Sequence, residues 1–282
     1  MILSRDQARV SERPYGRGSA ELHVALIRGA SSVLRSRARS PVCLLTPRAR
    51  GASVWACSSS LGGGLVAGDE VRFELQVDDH ARCFFGTQAS TKVYRNPDFL
   101  PCSHSLEAHI GSGALLALAP DPVQCFAGAR YEQRQSFHLA PDANLILLDW
   151  VSAGRLARGE RWAFQRYFSA NEVHRESRLI IADALELDST ASNPFRSGRF
   201  NCLATLLLLG PKLQPHAVAM LRRVADRPIA PGDSLLLAAS PLQDGVLLRM
   251  ATNGVETAGR AIAEHLHFLP ELLQDDPWAR KW

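Results

Sequence analysis

The feature that most constrains this chain is an apolar/polar alternation that recurs, each time closed by a turn and an alanine, at a period near ~30 residues. Val71, Phe73, Leu75 and Val77 alternate with Arg72, Glu74 and Gln76, and Leu106, Ala108 and Ile110 alternate with Glu107 and His109. Glu132, Arg134, Ser136 and His138 form the polar set of a third segment that ends at Phe137 and Leu139. Successive side chains of a strand point to opposite faces, so a period of two puts each apolar set on one sheet face. The turns are Asp78-Asp79-His80, Gly111-Ser112-Gly113 and Ala140-Pro141-Asp142. Ala81, Ala114 and Ala143 follow them, 33 and 29 residues apart. A more apolar strand comes next in each case: Cys83-Phe84-Phe85, Leu115 to Leu118, and Leu145 to Leu148. Such recurrence is what stacked β units produce, each burying its apolar face on the next, and a β-sandwich with regular hairpins gives a similar pattern. Trp162, Phe164 and Phe168 alternate more loosely, with Arg166 breaking the apolar face.

The C-terminal part changes period. Val255, Ala258, Ile262, Leu266 and Leu269 recur at helical spacing after an Asn253–Glu256 capping pair, and Pro270 stops the run. Val218, Leu221 and Val224 mark a shorter helix between Pro215 and Pro228. Leu235 to Ala239 and Val246 to Met250 read as strands between the helices, and Asp188 to Phe200 as a loop. The expected architecture is mainly β, with two α-helices near the C-terminus. It forms one domain over residues 1–282, with a β core from about 20 to 210 and an α/β part from about 211 to 270.

Charge and cysteine usage narrow the function classes. The first fifty residues hold ten arginines against Asp6, Glu12 and Glu21, so a net +4 chain is +7 there and about −3 elsewhere. Arg35, Arg37, Arg39, Arg48 and Arg50 either face an acidic partner or line a solvated edge strand. No aromatic residues interleave with them as a nucleic-acid groove would require, so no nucleic-acid partner is expected. The six cysteines show no Cys-x-x-Cys, and reduced cytoplasmic thiols are expected. No apolar run approaches the ~20 residues of a membrane span, and Arg5, Asp6, Gln7 and Arg9 stand where a signal peptide would be apolar, so no membrane association is expected.

Three groups of residues could carry chemistry. Gly62-Gly63-Gly64-Leu65-Val66-Ala67-Gly68-Asp69 lacks the Gly-Lys-Ser/Thr ending of a phosphate loop, and its spacing and the strand that follows exclude a dinucleotide fingerprint, which leaves a tight turn in which Asp69 bonds local amides. Thr87-Gln88-Ala89-Ser90-Thr91-Lys92-Val93-Tyr94-Arg95 sets hydroxyls, an amide and two cations beside Phe84-Phe85, as a polar network, an anion site or a protein contact would. Asp121, Asp149 and Asp183 sit in apolar surroundings, either at strand ends, or in salt bridges (to Arg155 or Arg158 for instance), or lining an ion path. The nine histidines include no tight helical ligand pair, and no Gly-x-Ser-x-Gly elbow or Cys/His nucleophile pair is present.

In combination these motifs resemble the urease accessory protein UreD (UreH) family. The resemblance rests on the glycine motif, the Thr87–Arg95 motif, Pro120-Asp121-Pro122-Val123 with Phe126-Ala127-Gly128-Ala129-Arg130-Tyr131, and Leu148-Asp149-Trp150 with Gly154-Arg155 and Arg158-Gly159-Glu160. Asp183-Ala184-Leu185-Glu186-Leu187 is similar to a later strand of the family. Order and spacing agree from about residue 20 to 187. Gly62 stands where the family usually has proline, and Ala67 where it has glycine.

The resemblance implies stacked sheets like a distorted β-helix or solenoid. It implies a cytoplasmic, non-enzymatic scaffold partnering UreF, the GTPase UreG and the urease apoprotein. It implies further that no cofactor is tightly bound and that Ni²⁺ passes in transit. Asp69, Asp149 and Asp183 match family carboxylates and are the implied transient metal path. Gly63, Gly64, Gly68, Thr87, Gln88, Thr91, Lys92, Tyr94, Arg95, Asp121, Gly128, Arg155, Gly159 and Glu160 are the implied structural or partner-contact residues. Two rival readings stand beside it: a β-solenoid carbohydrate-active enzyme using paired aspartates, and a module binding acidic partners through the N-terminal arginines.

Overall fold

The computed structural model describes residues 17–48, 50–97, 100–188 and 198–280. The chain lays its strands alternately into two sheets. Strands β1 (Arg17–Ile27), β5 (Glu70–Val77), β8 (Cys102–Ile110), β11 (Arg130–Leu139) and β13 (Arg166–Arg175) are parallel neighbours in a seven-stranded sheet. Strands β4 (Val54–Ser60), β6 (Arg82–Thr87), β9 (Leu115–Leu118) and β12 (Asn144–Ser152) are parallel neighbours in a ten-stranded sheet. Each turn of the chain adds one strand to each sheet, which is a distorted solenoid.

Antiparallel strands close both ends. At one end β2 (Ala30–Arg39) pairs β1, and β3 (Val42–Leu45) pairs β4. At the other, β14 (Arg178–Asp188) pairs β13, while β15 (Cys202–Leu209), β17 (Gly245–Thr252) and β16 (Leu235–Leu242) extend the larger sheet beyond β12. Arg35, Arg37 and Arg39 lie on β2, the sheet edge, with their side chains exposed. Charge on an edge strand opposes pairing with another chain.

The alanine repeat is the corner of the coil. Ala81, Ala114 and Ala143 are fully buried, and their amides close turns onto the carbonyls of Asp78, Gly111 and Ala140. Consecutive corners stack: the Leu115 amide donates to the Ala81 carbonyl and the Asn144 amide to the Ala114 carbonyl, both at 2.9 Å. A small side chain suits a corner where coils meet backbone to backbone.

Between the sheets lies one apolar core, including Phe73, Leu75, Phe85, Leu116, Phe137 and Leu147. A second core lies on the opposite face of the larger sheet. There Phe84, Leu115, Ile146, Leu148 and Leu206 pack under the helices Gln214–Ala225 and Val255–His265 and the short helix Leu269–Leu273. Full burial of each such side chain contributes about 1.5–3 kcal/mol. Cys83, Cys102, Cys125 and Cys202 are buried fillers, and all six thiols are free. Among the described residues no helix is long and apolar enough to cross a membrane.

Several local expectations are corrected. Trp162 and Phe164 are buried ahead of β13, and within β13 the interior positions are Tyr167, Ser169, Asn171 and Val173. Phe168 therefore sits on the outer face, where Arg134 and Arg166 stack on it. Gly254, not Asn253, caps the helix Val255–His265, and the Asn253 carbonyl oxygen Oδ1 accepts from the Thr257 hydroxyl. Pro270 opens a helix instead of only ending one, because proline in a first turn gives up no needed amide. Helix Gln214–Ala225 buries Ala217 and Met220 while Val218 is exposed. Most of the expected loop from Asp188 to Phe200 lies outside the described residues.

Candidate functional site

The motif-bearing segments are successive rungs of a third, short stack on the side of the solenoid, built off the main path of the ten-stranded sheet from its remaining two strands. Leu65 bridges Val93; β7 (Thr91–Val93) pairs β10 (Val123–Cys125) in parallel; β10 pairs the end of β12 at Val151–Ser152. Residues scattered along the sequence thus occupy equivalent places on neighbouring coils. Tyr94 meets the Phe126 ring edge-on at 5.2 Å, and the Arg155 guanidinium lies 4.1 Å from the same ring. Arg155 Nε donates to Glu160 Oε2 at 2.9 Å, Nη2 pairs with Oε1, and the Ala127 amide donates to Glu160 Oε2 at 3.1 Å. The Arg155 hydrogen bond, above all, holds the Glu160 carboxyl below its ordinary pKa.

Glycine is required where these rungs approach. A Cβ on Gly64, whose φ is +159°, would sit 2.6 Å from Tyr94 Cε2 and 2.7 Å from the Lys92 carbonyl oxygen. Gly63, Gly68, Gly128 and Gly159 also take positive φ, and Gly128 abuts the Arg95 side chain. Gln88, Lys92 and Arg95 are exposed.

Beside this stack opens a cavity of about 200 Å³ that runs between the sheets. Ser58, Ser59, Ser60, Gly63, Gly64, Thr87, Thr91, Lys92 and Asp121 line its loop end, and His104, Tyr131, Gln133, Gln135 and Asp149 its inner end. Thr87 Oγ1 donates to Asp121 Oδ2 at 3.0 Å and accepts from the Asp121 amide at 2.7 Å.

At the inner end the core is polar. Asp149 accepts from Ser169 Oγ at 2.5 Å, Asn171 Nδ2 at 2.9 Å and Gln133 Nε2 at 3.2 Å. Gln133 Nε2 also reaches Ser169 Oγ at 3.0 Å, Tyr131 OH donates to Gln133 Oε1 at 3.0 Å, and Gln135 Nε2 donates to Asn171 Oδ1 at 2.9 Å. Register explains the clustering: His104, Gln133 and Ser169 share one cross-strand row, and Gln135, Asn171 and Asp183 the next but one.

Of the alternatives open for Asp149 in the sequence, the ion pair with Arg155 or Arg158 does not form: Arg155 holds Glu160, and the hydrogen-bond partners of Asp149 are neutral donors. Burial pushes the Asp149 carboxyl above its ordinary pKa against the pull of those three hydrogen bonds. What accessible surface it keeps faces the cavity. Burial also lowers the His104 pKa to about 4, and its Nδ1 has no hydrogen-bond partner among the described residues.

The other two aspartates are placed differently. Asp69 is buried in the turn after the glycines, where its Oδ2 accepts from the Val66 amide at 2.9 Å. Asp183, on β14, pairs with Arg249 on β17 and so ties the two sheets together at the end of the solenoid. Gln133, Gln135, Ser169 and Asn171 are the residues that sequence reasoning missed. Their signal was present: each occupies the inward phase of a strand, between Tyr131 and Phe137 or between Tyr167 and Val173.

The fold and site define a closed-ended, two-sheet β-solenoid whose core is apolar at one end and hydrogen-bonding at the other. The family model described as UreD urease accessory protein matches residues 16–282, and the chain belongs to that family. It is 44% identical over 265 residues to the urease accessory protein UreD of Anaeromyxobacter sp. (strain Fw109-5), covering 93% of this chain and 89% of the relative. It is 46% identical over 268 residues to that of Sorangium cellulosum (strain So ce56), covering 94% and 84%. Urease accessory protein D of rice (Oryza sativa subsp. japonica) is 38% identical over 218 residues, covering 75% and 71%.

Proposed function

We propose that this chain is a non-enzymatic, cytoplasmic scaffold for urease maturation that passes Ni²⁺ through the space between its sheets, from the GTPase UreG toward the urease apoprotein, in a complex with UreF. The observation that carries the reading is Asp149. This carboxylate faces a cavity from inside the protein, and among the described residues its hydrogen-bond donors are the neutral Ser169, Asn171 and Gln133. Ni²⁺ is a borderline ion that carboxylate, imidazole and water all accommodate. His104 supplies a neutral imidazole in the same cavity, the protonation state a metal ligand needs. Gln133, Ser169 and Asn171 add weak oxygen and amide groups, and transit requires several weak sites because one tight site would retain the ion.

The placement of the aspartates gives no support to sugar chemistry. Asp149 lies inside and Asp183 is engaged by Arg249, so the two do not flank an open groove.

The test is urease activation reconstituted from apoprotein, nickel, UreF and UreG, with and without this chain. Activation should depend on the chain, and Asp149→Ala should lower it while leaving association with UreF intact. Equal activation without the chain would remove the scaffold reading. Equal activation by the Asp149→Ala protein would remove Asp149 from the route.

A further inference from the structure

The outer face of the seven-stranded sheet carries a row of imidazoles that the interior cavity does not touch. His23, Gln76, His109, His138 and His174 share one register position on five parallel neighbours. The rings of His109 and His138 stack at 4.7 Å and 14°, and those of His138 and His174 at 5.1 Å and 19°. These separations match the distance between hydrogen-bonded strands, about 4.7–4.9 Å, so the backbone ladder itself sets the spacing. Two residues earlier, Glu21, Glu74, Glu107 and Glu172 form a row of acids on four of the five strands, and Ser136 holds that place on β11, its Oγ 3.3 Å from His138 Nε2. Glu107 Oε1 lies 3.4 Å from His109 Nε2 and 3.9 Å from His138 Nε2. One ligand atom from each of Glu107, His109 and His138 falls within 4.8 Å of the other two. Arg72 Nη2 stands 3.8 Å from Glu107 Oε2, which leaves Oε1 as the oxygen on the histidine side.

We propose that this ladder is a surface site for one divalent transition ion of the nickel–zinc class, held by Glu107, His109 and His138, with His174 as the adjoining imidazole. Bonds of about 2.0–2.2 Å place the ligand atoms of one ion about 3.0–3.4 Å apart. The 3.4 and 3.9 Å separations from Glu107 approach that range, and the two imidazole nitrogens, within 4.8 Å of each other on stacked rings, converge when the rings tilt toward Glu107. These side chains are 47%, 51% and 37% exposed, and the contacts they give up on turning are those of Ser136 with His138 and of Arg72 with Glu107. Two imidazoles and one carboxylate select borderline ions over Mg²⁺ and Ca²⁺, which take oxygen ligands. Water completes the shell. On β11 the site occupies the face opposite Gln133 and Gln135, so it stands or falls independently of the interior route.

The experiment is equilibrium dialysis of the chelator-treated full chain against Ni²⁺ alone and Zn²⁺ alone, in excess Mg²⁺. Wild type, His138→Gln, the double variant His109→Gln/His138→Gln, and Asp149→Asn are compared. Hydrogen-bond partners of metal ligands alone are worth about 10–100-fold in affinity, so losing a ligand should weaken one class of sites at least tenfold. His138→Gln should show that loss, the double variant should lack the class, and Asp149→Asn should keep it. Paramagnetic Ni²⁺ should broaden the His109 and His138 ring resonances first. Unchanged stoichiometry and affinity in the folded double variant would overturn the site, as would a wild-type chain that binds neither Ni²⁺ nor Zn²⁺ in the excess of Mg²⁺.

Discussion

The two sheets are built from the same coils yet meet different surroundings. In the seven-stranded sheet, β5 buries Val71, Phe73, Leu75 and Val77 and exposes Glu70, Arg72 and Glu74. In the ten-stranded sheet, every residue of β9 is buried and β12 is buried along nearly its whole length. One sheet has water on its outer face, and the other has helices there. A parallel sheet covered on both faces loses its alternation and reads as an apolar run, whereas a sheet wetted on one face keeps it. The comparison teaches that the pattern in a sequence reports which faces are covered, not merely that a strand is present.

Paired truncations test this most strongly. Leu147 faces the solenoid interior and Leu148 the helices, so each changed to Ala should cost about 2–5 kcal/mol in urea unfolding. In β5, Leu75→Ala should cost a similar amount, but the neighbouring Glu74→Ala should stay within about 0.5 kcal/mol. A Leu148→Ala cost as small as that of Glu74→Ala would mean the helices do not cover the larger sheet.

Smaller effects sharpen the contrast. Gly64→Ala should destabilise by about 1–3 kcal/mol, since its Cβ would meet Tyr94 and the Lys92 carbonyl in a positive-φ backbone. A thermal melt identical to wild type would show that the third stack tolerates displacement.

Asp149 contributes a pH dependence. Its folded-state pKa is raised by burial, so the folded chain holds that proton longer than the unfolded chain. The stability contributed by the protonated carboxyl is fully present below the ordinary carboxylate range and is lost as pH rises through the raised value. Relative to wild type, Asp149→Asn should therefore gain stability from acid to neutral pH while losing urease activation. Parallel stability–pH curves for the two proteins would contradict the burial.

On the helical cover, a Cβ at Gly259 would meet nothing within 4 Å, so Gly259→Ala should stabilise by about 0.5–1 kcal/mol. The gain is measurable as a raised melting temperature.

The alternating strands, the alanine corners and the late helices were legible because each follows from local periodicity. Motif spacing was legible too, and its cause is now visible: one motif per coil on a shared side. The polar inner end was not. Gln133, Gln135, Ser169 and Asn171 break the apolar phase of β11 and β13, and only cross-strand register shows that the breaks coincide around Asp149. Phe168 misled in the opposite sense, because an aromatic residue on a wet face can be covered by arginine stacking. Asp69 and Asp183 looked equivalent to Asp149 in sequence, yet a turn amide and an arginine engage them.

The helices that cover the larger sheet come from residues 214–273, after strands β4, β6, β9 and β12 have been made. On a ribosome, the chain between the end of β12 at Ser152 and the first helix at Gln214 takes several seconds to emerge, at roughly 5–20 residues per second. Coils that stack within that interval carry Phe84, Leu115, Ile146 and Leu148 as a bare apolar face. The order of synthesis thus makes early adhesion to other hydrophobic surfaces a hazard of this architecture, one that ends when the C-terminal helices dock.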